Sequence, residues 1–297
     1  MSIPGAASSR GGRDDAEAVR RRAAAIVRAS GMRRPPFFPE RYAARCGVTA
    51  ILSVPLDGDA VRLEHRSDEA RRAARTMLLV DRRLPPHTPQ WNGAVARGLG
   101  ETLVPPGAAG ERRRSLAEAA AAELLLPMTV FRPAAVHTDL TMDGLRDLAA
   151  RFGAPLRLTA RQWLASGLWH GFALLWHEEA GALRLWWRAA SPEQAAPIPL
   201  GADAAAVWAP DSRLFATHRT GRAHHGVEEV RLAAGAAWWF VRFAAVRDPA
   251  DAADRAGPRA VFAMVMLARG GAPNRAGRAS RVRRAPRPEG IIAGSSK

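Results

Sequence analysis

Cysteine is almost missing from this chain: Cys46 is the only one in 297 residues. One thiol cannot build a disulfide framework or a four-cysteine zinc module, and a lone thiol is what a reducing compartment permits, so the expected setting is the cytoplasm. Long apolar runs are missing too. The longest, Ala260 to Ala268, has nine residues between Arg259 and Arg269, about half of what a bilayer-crossing helix needs. It is expected as a buried strand, and no membrane association is expected. Residues Met1 to Asp15 are small, polar and charged, without the apolar centre of a secretory signal. There is no Gly-x-Ser-x-Gly elbow, no glycine-rich phosphate loop opening a helix, and no Cys-His pair in a supporting context. Lysine is nearly absent as well, since Lys297 stands alone and the net charge of +16 rests on arginine.

What is present is 47% apolar residues, enough for one large core or two modest ones. From Arg269 to Lys297 eight cations face Glu289 alone, a net of +7, which leaves +9 on residues 1–268. A stretch rich in Gly, Pro, Ser and Arg cannot bury a core, and it attracts polyanions through counterion release. Residues 1–14 and 270–297 are therefore expected to be disordered. Arg281, Arg283 and Arg284 are the tail's candidates for nucleic-acid contact, solvated disorder being the plainer reading.

Between these ends the pattern alternates helix and strand. Asp15 to Ser30 lacks Gly and Pro and spaces Val19, Ala23, Ile26 and Val27 as a helix closed by Gly31. Pro39 to Cys46 fits a short helix ended by Gly47, and Thr49–Val54, Ala60–His65 and Thr76–Val80 are β-prone, predicting a small antiparallel sheet. A helix over Gln90 to Val104 carries Val95, Leu99 and Leu103 and stops at Pro105-Pro106-Gly107. The next begins at the capping box Ser115-Leu-Ala-Glu118 and ends at Leu126-Pro127. Thr141 to Phe152 is helical by spacing, and Thr159-Ala-Arg-Gln162 reads as the cap of another helix. Phe172–Trp176, Leu183–Trp187, Ala237–Val246 and Ala260–Ala268 read as strands of a second sheet. The Trp186-Trp187 and Trp238-Trp239 pairs put one ring on each face of their strands, core on one side and surface aromatic on the other.

One stretch carries a resemblance. Val95-Ala-Arg97-Gly98-Leu-Gly100-Glu101-Thr-Leu103 is followed by Arg114-Ser-Leu-Ala117-Glu118-Ala-Ala-Ala121-Ala-Glu123-Leu-Leu-Leu-Pro127, and then by Leu148-Ala-Ala-Arg-Phe-Gly153 with Arg161 and Leu164. In order and spacing, roughly over residues 20 to 190, this resembles the ImmA/IrrE family of zinc-peptidase-like regulators. In that family a His-Glu-x-x-His helix precedes a helix of the form Glu-x-x-Ala-x-x-Phe-Ala-x-x-Leu-Leu-x-Pro. The resemblance implies an α+β fold: a zincin-like helical domain with a small antiparallel sheet over 15–135, a helix-turn-helix-like segment over 136–170, and a β-rich domain over 171–269.

Zinc chemistry needs two imidazoles one helical turn apart, a third ligand, an open position for water, and a general base. By register the first His falls on Arg97, the base on Gly98, the second His on Glu101 and the third ligand on Arg114. None matches. The resemblance therefore implies a degenerate member without cofactor, in which catalytic residues are absent although active relatives hold zinc. Arg97 with Glu101, and Arg114 with Glu118, have i,i+4 spacing and could replace the metal with a four-residue ion cluster, two separate solvated pairs being the plainer alternative. Gly98 has no packing reason visible in the sequence, whereas Gly100 matches a small residue of the family at a close helix approach.

Other ligand-type groups are weak. His177-Glu178-Glu179 reads as a hairpin turn. His224, His225, Glu228 and Glu229 form the densest cluster, with His224, His225 and Glu228 the candidate ligands, yet Gly221 and Gly226 argue for a loop there. Leu148 to Leu164 also has helix-turn-helix spacing, with Arg157 and Arg161 available for phosphate. The expected function is non-catalytic regulation, or a stress response, by binding a protein partner of the helix-turn-helix repressor type that the family implies. The alternatives are a DNA-binding regulator using the helix pair and the basic tail, and a zinc endopeptidase whose imidazoles come from His224 and His225.

Overall fold

A computed structural model describes residues 7–57, 60–68, 73–192, 208–231, 238–247 and 260–267. The α+β reading holds: helices alternate with two small sheets. Helix α1, Ala7–Ala29, begins eight residues ahead of the expected start, so residues 7–14 are not a disordered lead-in. Gly11 and Gly12 each lower helix propensity by about 1 kcal/mol, but no proline interrupts the stretch. A 3₁₀ segment, Pro39–Cys46, ends at Gly47 in the left-handed conformation (φ 75°).

Strands β1 (Val48–Val54), β2 (Val61–Asp68) and β3 (Ala73–Asp81) form the first sheet in the order β1-β3-β2. Strand β3 pairs antiparallel with β2 but parallel with β1, so this sheet is mixed rather than wholly antiparallel. The reason lies in hydrophobicity. Leu78, Leu79 and Val80 are buried, and their strand takes the centre, leaving β2, with Arg62, Glu64 and His65, at an edge.

Helix α2, Pro89–Thr102, is capped by Thr88, whose hydroxyl accepts from the Trp91 N–H at 3.3 Å. Helix α3, Gly110–Leu125, starts five residues before Ser115. The expected capping box is thus inside the helix, where Ser115 is exposed and its hydroxyl is used by another element. Pro127 then forces a turn of 73° into α4, Met128–Val136, a helix the sequence pattern did not announce. Among the described residues no single helix is long and apolar enough to cross a membrane.

Helix α5, Met142–Phe152, follows the expected boundaries, with the Thr141 hydroxyl accepting from Gly144 N–H and Gly153 left-handed at its end. Helix α6, Leu156–Ala165, starts after Pro155 and not at Thr159. Thr159 is fully buried and its hydroxyl donates back to the Pro155 carbonyl at 3.1 Å, which is how a threonine inside a helix is satisfied.

The second sheet, β5-β4-β8-β7-β6, is antiparallel throughout. Its strands are β4 (Gly171–Glu179), β5 (Ala182–Ala190), β6 (His224–Arg231), β7 (Trp238–Arg247) and β8 (Ala260–Leu267). A helix the sequence reading missed, α7 (Arg213–Thr220), lies between β5 and β6. The apolar run at β8 is the central strand, as its composition required. Strands β4 and β5 join through Ala180-Gly181, both with positive φ (49° and 78°), so the hairpin forms with its turn at these two residues, and His177-Glu178-Glu179 are the last residues of β4.

One hydrophobic cluster runs from Val19 and Leu99 through Trp163 and Trp169 to Ala173, Phe262 and Met264. Packing is therefore continuous across residue 170, the expected domain boundary. A smaller cluster under α7 contains Trp176, Trp208 and Leu214. Burial raises the Cys46 thiol to about 11, which makes it a core residue and a poor nucleophile at neutral pH.

Candidate functional site

The helices α2 and α3 pack closely where the register put the altered zinc motif. A Cβ on Gly100 would stand 2.4 Å from the Ala117 carbonyl oxygen and 3.2 Å from the Ala121 nitrogen. Gly98 has a packing reason after all: a Cβ there would meet Leu78 Cδ1 at 2.2 Å and Val61 Cγ2 at 3.0 Å. Its missing side chain lets α2 lie against the first sheet, a contact no local pattern reveals.

The four-residue ion cluster does not form. Glu101 faces Arg113 at 3.9 Å, both side chains 39% exposed. Arg114 is exposed, and neither it nor Arg97 has an ion-pair partner among the described residues. The i,i+4 spacing within each helix lost to partners on neighbouring elements. Glu101→Ala is accordingly expected to shift stability by less than about 1 kcal/mol in urea denaturation. A loss several times larger would mean that the pair is enclosed.

Glu118 is taken by a residue 43 positions later. Arg161 on α6 donates to its carboxylate at 2.9 Å, with the side chains only 17% and 12% exposed, and Trp187 Nε1 on β5 donates to the same oxygen at 3.2 Å. The second Arg161 nitrogen donates to the carbonyl and hydroxyl oxygens of Ser115, at 2.9 and 3.0 Å. Burial pushes the Arg161 guanidinium below its usual value, and Glu118 beside it opposes that shift. Arg161 is thus an internal tie between α3 and α6, not a phosphate-facing residue. Helix α6 also buries Leu158, Ala160, Gln162, Trp163 and Leu164. A helix covered to this extent cannot enter a DNA groove, which removes the helix-turn-helix reading of this pair.

Deeper still, Glu123 accepts from Met128 N–H at 3.0 Å and from Gln162 Nε2 at 2.9 Å. Burial raises its carboxyl above the ordinary range, opposed by those two donors and by the charge of Arg20. This network pins the start of α4 to α6.

A cleft of about 600 Å³ opens between α2, α3, α5, α6 and β5. Its apolar lining includes Ala94, Ala149, Leu158 and Trp187, and three guanidinium-bearing residues, Arg97, Arg146 and Arg157, line it too. Glu118 is also in the wall, its charge balanced by Arg161. Among the described residues, the ion-pair partner of Arg146 is exposed Asp143, one helical turn away (i,i+3) at 3.3 Å. Outside the lining, Trp186 is the extra residue of a β-bulge that sets Leu175 against Trp187 and Trp176 against Leu185. Its ring is 56% exposed, stacks on His177 at 4.7 Å and carries the Arg157 guanidinium at 4.8 Å. Trp187 packs on the core, as the alternation of faces required. For the Trp238-Trp239 pair the side chains lie outside the described residues.

No family model and no curated protein matches this sequence. In fold, the chain is similar to a Mycobacterium tuberculosis transcriptional regulator, with a TM-score of 0.53 and 19% identity over 84% of this chain and 87% of that one. The likeness concerns the fold.

The histidine cluster is also rearranged. His224 and His225 begin strand β6 instead of lying in a loop, so as neighbours on a strand they take opposite faces. Four strand positions separate 224 from 228, about 13 Å, where a helix would have brought them within one turn. Among the described residues no group of three His, Cys, Asp or Glu side chains could hold a metal ion. Glu178 is engaged with His218 at 3.0 Å. Arg281, Arg283 and Arg284 lie outside the described residues.

Proposed function

We propose that this chain is a non-catalytic regulatory protein of the ImmA/IrrE type, which binds a partner of the helix-turn-helix repressor class without cleaving it. The observation that carries this reading is the α2–α3 pair. Its close approach at Gly100 is kept, while Arg97, Gly98, Glu101 and Arg114 stand where zinc ligands and base would be and face a cleft, a sheet, Arg113 and solvent respectively. Such a set supplies neither imidazoles nor a positioned base. The regulatory role of the M. tuberculosis protein of similar fold supports the reading, and one buried thiol suits a cytoplasmic setting. The test mixes the full chain with a purified helix-turn-helix repressor from an adjacent gene, with and without added zinc. The expected result is a complex on size exclusion and an intact repressor on a gel. A cleaved repressor would overturn the non-catalytic part, and no complex would overturn the partner.

The charge of +16 supports a second reading, DNA binding through the basic tail. Affinity for duplex DNA is then expected to fall steeply with salt. Removing residues 270–297 should reduce the slope of log affinity against log salt by up to about 6. An unchanged slope after truncation would place any DNA contact on the remaining residues.

A further inference from the structure

We propose that the cleft between α2, α5, α6 and β5 binds a small organic anion: a carboxylate or phosphate head group held by Arg97 and its neighbouring arginines, on an apolar body. The inference deepens the regulator reading by giving it a ligand to respond to. Three observations carry it. The volume of about 600 Å³ is that of a small-molecule site. The walls are mostly apolar, as such sites are, with a few polar groups concentrated among them. Apart from Gln90, the polar side chains among the described lining residues are charged, and positive charge predominates: Arg97, Arg146 and Arg157 come from three different helices and line the same space, while Glu118, the one acid among those residues, is already neutralised by Arg161.

Arg97 is the most telling of the three. It is half-buried and has no ion-pair partner among the described residues, and a partly desolvated guanidinium favours an anion that it can meet with two parallel hydrogen bonds. Ala94, Ala149 and Leu158 offer the body of the ligand only dispersion and area burial, so head-group charge sets the class and shape sets the member.

The experiment is titration calorimetry of the full chain with decanoate, decyl phosphate and uncharged decanol. One site per chain is expected for at least one of the two anions, and decanol should bind at least about tenfold more weakly, since a charge-assisted hydrogen bond is worth at least about that factor. The tighter of the two anions identifies the head group as carboxylate or phosphate. Arg97→Gln should weaken that anion by at least about tenfold. Ala150→Trp places a ring at an exposed position of the cleft wall, where folding is tolerant, and should abolish saturable binding without changing the circular dichroism. Equal binding of decanol, an unchanged Arg97→Gln, an unchanged Ala150→Trp, or no binding of either anion would each overturn the proposal. Repressor binding measured on the same variants separates the two readings: a complex that persists while neither anion binds overturns the ligand and leaves the regulator.

Discussion

Arg161→Ala is expected to lower the unfolding free energy by about 3 kcal/mol, the low end of the range for breaking one side of a buried ion pair. The truncation removes a donor to Glu118 and both contacts to Ser115, and it leaves the Glu118 carboxylate with Trp187 Nε1 as its remaining donor at 3.2 Å. The low end applies because Glu118 lines the cleft, so water can reach part of the exposed charge. The counterpart Glu118→Gln should lose less, since its single amide oxygen can still accept from both Trp187 and Arg161, as one carboxylate oxygen does now. Replacing both by methionine is expected to recover most of the loss, because two well-packed apolar groups avoid the desolvation of two charges. Urea denaturation of Arg161→Met, Glu118→Met and the double-methionine variant closes a cycle and gives the coupling directly. A loss below about 1 kcal/mol for Arg161→Ala would show that the tie between α3 and α6 is solvent-screened.

That tie also marks where sequence reading stops. Local signals were reliable for elements whose boundaries depend on neighbours in the chain. The Thr141 cap, Gly31, Gly47 and Gly153 at helix ends, and the apolar run of β8 all fell as their chemistry required. Starts were misplaced where a residue had two uses. Ser115 and Thr159 look like caps, yet one serves Arg161 and the other bonds back one turn within its own helix. The sheet order followed from which strand was most apolar, a comparison across strands that hairpin logic does not make.

The candidate site was less legible for a related reason. Arg97, Glu101, Arg114 and Glu118 can be paired by i,i+4 spacing, but the pairs that formed join residues 12 and 43 positions apart, and Trp187 reaches Glu118 across 69. No periodicity encodes those distances. Arg146 and Arg157 likewise have nothing local to set them apart, and they matter only because α5 and α6 bring them to the same cleft as Arg97. What the sequence did mark was Gly100, as the place where two helices meet.

Gly100→Ala is therefore expected to be the more damaging of the two α2 glycine substitutions, with a net loss of at least about 2 kcal/mol. Helix propensity alone predicts the opposite sign, a gain of about 1 kcal/mol for alanine over glycine in a helix interior. The added Cβ, however, would stand 2.4 Å from a carbonyl oxygen of α3, and backbone cannot rotate away as a side chain can. Helix α3 is held on its other sides by α1 and by the Arg161 tie, so relief requires α2 and α3 to separate along buried Leu99, Ala120 and Ala121. Overpacking of this kind costs about 1 to 3 kcal/mol and more where the backbone must shift, which outweighs the propensity gain. Gly98 gives the internal comparison. Its nearest obstacle is the end of the Leu78 side chain, at 2.2 Å, and although Leu78 is buried a rotamer change can absorb part of the conflict. Gly98→Ala should thus fall within about 1 kcal/mol of the parent, propensity and crowding nearly cancelling. Denaturation midpoints of the two variants decide it. Equal losses, or a stabilised Gly100→Ala, would mean that α2 and α3 are not in backbone contact at this point.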